Sequence, residues 1–197
     1  MVALQSTMLP LGTKLPPFEL KNYNPKVSDH SVLIDSNELA STGYLVAFIS
    51  NHCPFVINLA AKFGEIANNA QNSGLSVVAI NSNDVSRYPT DHPEHMPDFA
   101  DKYQFNFPYL FDESQSVPMA FKATCTPDFF LFDGTGSLVY RGQFDESRPG
   151  NGIESTGADL QLAIEHILLG KQPLSEQSPS IGCSIKWLPE NEAKIDY

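Results

Sequence analysis

Two continuous apolar runs, "YLVAFIS" (Tyr44 to Ser50) and "LSVVAIN" (Leu75 to Asn81), bracket a segment with a different rhythm. Between them Phe55, Leu59, Phe63, Ile66 and Ala70 recur at helical spacing, with Lys62, Glu65, Asn68 and Asn69 interleaved. A run that is apolar at successive positions and rich in β formers suits a strand buried on both faces. Strand, helix and strand in this order make a βαβ unit, which requires a parallel strand pair. The segment "NSG", Asn72 to Gly74, ends the helix. Cys53 falls at the seam where the strand stops and the helix begins, with Pro54 directly after it.

The rest of the chain extends this unit. The first thirty residues, rich in Pro and polar groups, read as an arm over the domain, followed by a short strand at "SVLID" (Ser31 to Asp35). Residues 82–97 read as a loop, and a short helix is expected from Asp98 to Gln104. "FPYLFD" reads as a short extended piece and "VPMAFKA" as one or two helical turns. "TPDFFLFDGTGSLVYRG", Thr126 to Gly142, has two apolar runs around a Gly-containing turn and predicts a β-hairpin. Leu160, Ala163, Ile164, Ile167 and Leu168 mark a last helix, ended by Gly170. The fold class is α/β, a central mixed sheet flanked by helices. With 197 residues, 42% of them hydrophobic, the chain suits one domain with a sizeable core.

The seam matters chemically. Pro is favoured as the first helical residue, where its missing N–H has no partner to lose. With Pro54 there, Cys53 becomes the N-cap, facing unpaired backbone N–H groups and the positive end of the helix dipole. Both favour thiolate over thiol. Ser50 is placed to donate a hydrogen bond to that thiolate, and a charged His52 turned toward the sulfur would add to the effect. Alternatively, Cys53 is an inert core residue and Pro54 merely starts a helix. Pro127, preceded by Thr126, opens a strand, and on the residues alone a trans bond is favoured there.

A formal net charge of -11 disfavours phosphate backbones and anionic lipid surfaces as partners, so neither nucleic acid nor membrane is expected. The N-terminus lacks the basic start and apolar run of a signal peptide, and no stretch approaches the length of a membrane span. Three cysteines, Cys53, Cys125 and Cys183, are too few for a secreted disulfide framework, which points to a reducing cytoplasm.

The motifs "SNHCPFV", "VAINSND", "CTPDFFLFD", "YRGQFDESRP" and "PSIGCSIKW" occur in order from about Leu11 to Trp187. They closely resemble those of a bacterial-type family of thioredoxin-like, peroxiredoxin-related redoxins. The resemblance implies a thioredoxin-like fold with an N-terminal extension, an inserted segment and a C-terminal tail. The domain is then residues 1–170, arm included, with residues 171–197 packed on it as the tail. It also implies that Pro127 is a cis-proline packed against the cysteine loop, and that substrates are protein thiols, disulfides or peroxide. Family members usually read Cys-Asn-His-Cys in the loop; here the first position is Ser50, so the loop cannot form its own disulfide.

Three outcomes stay open. Cys53 acts as the retained thiol of a disulfide oxidoreductase or, in the Ser-x-x-Cys-Pro pattern of a peroxiredoxin, as a one-cysteine peroxidase. Cys53 pairs with Cys125, two residues before Pro127, subject to strict disulfide geometry. Or the domain has lost redox chemistry and binds extended peptides by β-pairing. The candidate site residues are Cys53, Ser50, His52, Cys125, Thr126 and Pro127. Cys183 is read as a small packed residue of the tail, with a resolving thiol as the sharper alternative, and Trp187 as the tail's anchor. Arg87, Arg141 and Arg148 are expected at the surface.

Other constellations carry less. His92 and His95, with Asp91 and Glu94, read as a solvated loop rather than a metal site. "DGTGS" lacks the lysine and following helix of a phosphate loop. Asn83 and Asp84 sit where they either approach the site or cap a turn. No cofactor and no metal are expected.

Overall fold

The central strand alternates its side chains between two cores. The computed structural model describes residues 3–28, 32–38 and 42–195. Its strands are β1 (Ala3–Gln5), β2 (Glu19–Asn22), β3 (Leu33–Asp35), β4 (Gly43–Phe48), β5 (Ser76–Asn81), β6 (Tyr109–Phe111), β7 (Cys125–Thr126), β8 (Asp128–Asp133), β9 (Leu138–Gly142) and β10 (Ile181–Ser184). Leu45 and Ala47 of β4 face one core while Val46 and Phe48 face the other. β5 and β8 follow the same rule: Val77, Ala79, Phe129 and Leu131 on one side, Val78, Ile80, Phe130 and Phe132 on the other. Period-two alternation with both faces apolar is why these runs read as continuous.

Seven strands form one sheet in the order β3-β2-β6-β5-β4-β8-β9. β4 is parallel to β5 and antiparallel to β8, so the sheet is mixed. The helices are α1 (Pro54–Asn72), α2 (Met96–Lys102), α3 (Ser116–Phe121), α4 (Ala158–Leu168) and the short α5 (Pro189–Glu192). α1 buries Val56, Leu59, Ala60, Phe63, Gly64, Ile66, Ala67 and Ala70, while Phe55 is only partly buried. Gly64 is required there, because a Cβ would sit 2.2 Å from the Tyr103 carbonyl oxygen. α2 begins two residues earlier than expected, with Pro97 inside its first turn.

Both chain ends contribute strands. The N-terminal arm supplies β1 and β2, and β2 pairs with β3 and β6. The tail supplies β10, which lies antiparallel between β1 and β7 in a second sheet of order β1-β10-β7. Trp187, only 2% exposed, is buried with Leu9, Phe18, Val78, Phe121 and Ile185.

One surface expectation is corrected. Arg141 is fully buried, not exposed: it pairs with the equally buried Asp128 at 3.2 Å, donates to the Lys122 carbonyl at 2.8 Å, and lies over the Phe130 ring. Its position on β9 points it inward by the same alternation that buries Val46 and Phe48. A buried guanidinium persists only with such partners.

Candidate functional site

Cys53 precedes Pro54 as the N-cap of α1, with φ -68° and ψ 120°. The strand β4 delivers the loop Ser50-Asn51-His52-Cys53, and β7 approaches it from the other side. The Thr126–Pro127 peptide is cis. As a thiol, Cys53 donates its S–H to the Thr126 carbonyl oxygen, Sγ to O 3.1 Å. Ser50 Oγ lies 3.3 Å from Thr126 Oγ1. Ser50, Cys53 and Thr126 therefore meet at one place, next to Pro127, and all are buried.

The Ser50 hydroxyl pairs with Thr126 rather than with the Cys53 sulfur. His52 also turns elsewhere: its Nδ1 donates to Asp91 Oδ2 at 2.5 Å and its ring stacks on Tyr88, centroids 5.4 Å apart. The Asp91 hydrogen bond, against partial burial, raises the His52 pKa. Asp91 is fully buried and organises the whole loop. It accepts from the Asn51 N–H at 2.7 Å, the His52 N–H at 3.2 Å and Asn83 Nδ2 at 2.7 Å. Tyr109 adds a hydrogen bond to Asn51 Oδ1 at 2.9 Å. Asn83 also binds the tail, accepting from the Lys186 N–H at 2.8 Å.

The sulfur that touches Cys53 is Cys183. In the β7–β10 ladder Cys183 lies directly opposite Thr126, and Ser184 opposite Cys125. Directly opposed residues share a face, and neighbours along a strand point to opposite faces. Cys183 is thus on the Thr126 face, toward Cys53, while Cys125 points away, its Sγ 3.8 Å from the Pro127 carbonyl oxygen. The hydrogen bond from Cys183 lowers the Cys53 pKa to about 6, against the cost of burial. The Val56 N–H in the first turn of α1, the Thr126 side chain and the Cys183 backbone lower it further. The same pairing raises the Cys183 thiol, since a proton shared by two sulfurs stays on the weaker acid. Burial, and then the Asp128 charge, push Cys125 well above the usual thiol range.

The sequence reading missed Asp91, Asn51 and Tyr109. "DHPEHMP" drew attention to its histidines, yet His92 and His95 are half-exposed: both lie near the Glu94 carboxylate, at 3.7 and 3.6 Å, and His92 Nδ1 accepts from the Glu94 N–H at 3.4 Å. No group of three or more metal-ligating side chains with metal-site geometry occurs among the described residues. Asp84 serves a turn, accepting from Ser86 and from Arg87 Nε at 2.6 Å, and Arg87 also binds the Trp187 carbonyl oxygen.

A mixed sheet with a Cys-Pro helix start facing a cis-proline turn defines a thioredoxin-like protein. The AhpC/TSA family model matches residues 11–141, and the chain belongs to that family of redoxins. No curated protein matches it. The structure is similar to that of an uncharacterised conserved protein from Geobacillus kaustophilus, with a TM-score of 0.90 and 45% identity over 96% of this chain and 98% of that one. A hypothetical protein from Sinorhizobium meliloti 1021 is comparably similar, with a TM-score of 0.89 and 45% identity over 94% and 98% of the two chains. A secreted disulfide oxidoreductase from Mycobacterium tuberculosis shares the fold at 17% identity, with a TM-score of 0.56 over 75% and 94% of the two chains. No described helix is long and apolar enough to cross a membrane.

Proposed function

We propose that this chain is a thiol–disulfide oxidoreductase whose reactive sulfur is Cys53, acting on protein thiols and disulfides. The observation that carries the reading is the Cys53 environment: a sulfur at the N-terminus of α1, held against Thr126 and brought down to about 6 by the Cys183 hydrogen bond. At neutral pH such a sulfur is largely thiolate, the form that attacks a disulfide. Ser50, Thr126, Pro127 and His52 position it: the first three form the wall against which it rests, and His52 ties the loop to Asp91. Membership of the redoxin family and the disulfide oxidoreductase fold neighbour support the class. The small number of cysteines supports a reducing compartment, the cytoplasm.

A one-cysteine peroxidase is the second reading, favoured by the AhpC/TSA match and the Ser-x-x-Cys-Pro order. Against it, the hydrogen bonds of Arg141 go to Asp128, Lys122 and Thr7, and those of Arg148 to Asp145, Ser147 and Gln143. Neither guanidinium is engaged at the sulfur. A peptide-binding module is disfavoured because β10 already occupies the β7 edge.

The test runs insulin-type disulfide reduction and peroxide consumption side by side on the chain, Cys53→Ser and Ser50→Cys. Disulfide reduction that vanishes in Cys53→Ser and rises in Ser50→Cys supports the proposal. Peroxide turnover by the chain, with no disulfide reduction in any of the three, reverses the ranking.

A further inference from the structure

We infer that Cys183 is the second redox thiol of this protein, and that the chain cycles through a Cys53–Cys183 disulfide in place of the loop dithiol that Ser50 rules out. The inference rests on Cys53 being the reactive sulfur, as proposed above. Three independent features of the fold bring the two together. β10 sets Cys183 opposite Thr126, the residue whose carbonyl accepts the Cys53 thiol's hydrogen bond at 3.1 Å. Gly182 lets β10 close fully, since a Cβ there would lie 2.1 Å from the same carbonyl oxygen. The tail on the far side of Cys183 is pinned: the Lys186 N–H to Asn83, the Lys186 carbonyl to the Asp84 N–H and Gln115, and Trp187 into the core.

Cys125 lacks this placement. It lies on the opposite face of β7, with its sulfur against the Pro127 carbonyl. A disulfide needs its two β-carbons within a narrow range, and Cys125 on β7 and Cys183 on β10 sit at successive register positions of the ladder, so their side chains leave it on opposite faces.

The oxidative half of the cycle balances with the substrate disulfide as the only oxidant, and an external dithiol, itself oxidised to its disulfide, returns the Cys53–Cys183 bond to two thiols. The Cys53 thiolate attacks a substrate disulfide R–S–S–R, forming Cys53–S–S–R and expelling one thiolate, RS⁻. The Cys183 thiolate then attacks the Cys53 sulfur, forming the Cys53–Cys183 bond and expelling the second RS⁻. Two cysteine thiols lose two electrons, the substrate disulfide gains them, and the two thiol protons end on the two RSH products. Since β10 covers the sulfur, substrate enters as β10 parts from β7, and the strand's return carries Cys183 to the mixed disulfide.

The experiment treats the full chain with an aromatic disulfide that releases a coloured thiolate. The expected result is release of two coloured thiolates per chain, no retained adduct, loss of two hydrogens in intact mass, and a peptide pair joined through Cys53 and Cys183. In Cys183→Ser, release falls to about half and the adduct stays on Cys53. The linked peptide in the unaltered chain needs no variant to fold. A lasting adduct on Cys53 of the unaltered chain, or a Cys53–Cys125 link, overturns the pairing and leaves the proposed function standing. No reaction at Cys53 in any protein overturns both.

Discussion

Gly182 packs so closely on Thr126 that a Cβ on it would stand 2.1 Å from the Thr126 carbonyl oxygen and 3.1 Å from the Pro127 ring. The contact is to backbone, which cannot swing aside. Gly182→Ala should therefore push β10 off β7 and cost on the order of 1–3 kcal/mol, as overpacking does. Chemical denaturation would measure the loss. The same variant should bring the Cys53 pKa upward, because the Cys183 hydrogen bond is weakened.

Alkylation of Cys53 should follow a titration with a midpoint of about 6, level above that pH and falling below it as the thiolate takes up a proton. Cys183→Ala removes the largest cause of the lowering and should move the midpoint up. Ser50→Ala should move it less, since the Ser50 hydroxyl binds Thr126 and not the sulfur. Rates measured per cysteine by mass spectrometry across pH 5–9 would check all three; a larger shift in Ser50→Ala than in Cys183→Ala would contradict the geometry.

Asp91→Ala should leave the Asn51 and His52 N–H groups and the Asn83 amide without their acceptor. Each buried orphan costs about 1–3 kcal/mol, so a loss of roughly 3 kcal/mol or more is expected, with a misplaced Cys53 loop. The pH dependence carries a second signature. Asp91 raises the His52 pKa in the folded state, so the stabilisation is complete below the unfolded histidine value and is lost as pH rises through the folded one. In Asp91→Asn that alkaline-side loss should disappear, as stability curves against pH would show.

Trp187→Ala should cost about 3–5 kcal/mol, the range for truncating a buried large aromatic. Its more informative effect is at a distance. With the anchor gone, β10 should loosen and Cys53 should react faster with bulky alkylating agents, while the small-reagent rate changes less.

Much of this was legible in the residues. The βαβ unit, the hairpin and the N-cap position of Cys53 follow from local periodicity and from Pro54, which are properties of contiguous sequence. The motif resemblance supplied the thioredoxin-like form of the sheet. What stayed hidden depends on long-range register. Nothing near Cys183 says that it faces Thr126, 57 positions earlier in a ladder of two residue pairs. Asp91 was read within its own histidine-rich loop, whereas its hydrogen bonds reach back to Asn51 and His52 across some forty residues. Arg141 looked like a surface charge because its partner Asp128 sits on the neighbouring strand, and only pairing brings a buried acid to a buried base.

The order β1-β10-β7 has a kinetic consequence. β10 is a middle strand, hydrogen-bonded along both edges, so a single side-chain rotation cannot bare the sulfur beneath it. Exposure is therefore expected to need a cooperative local unfolding in which the ladders break together. Amide protons of Gly182 and Cys183 should then exchange with deuterium at the rate at which Cys53 becomes reachable by large reagents. On the proposed chemistry, the strand Ala3–Gln5, paired along β10, would then help set how fast a cysteine some fifty residues away reacts.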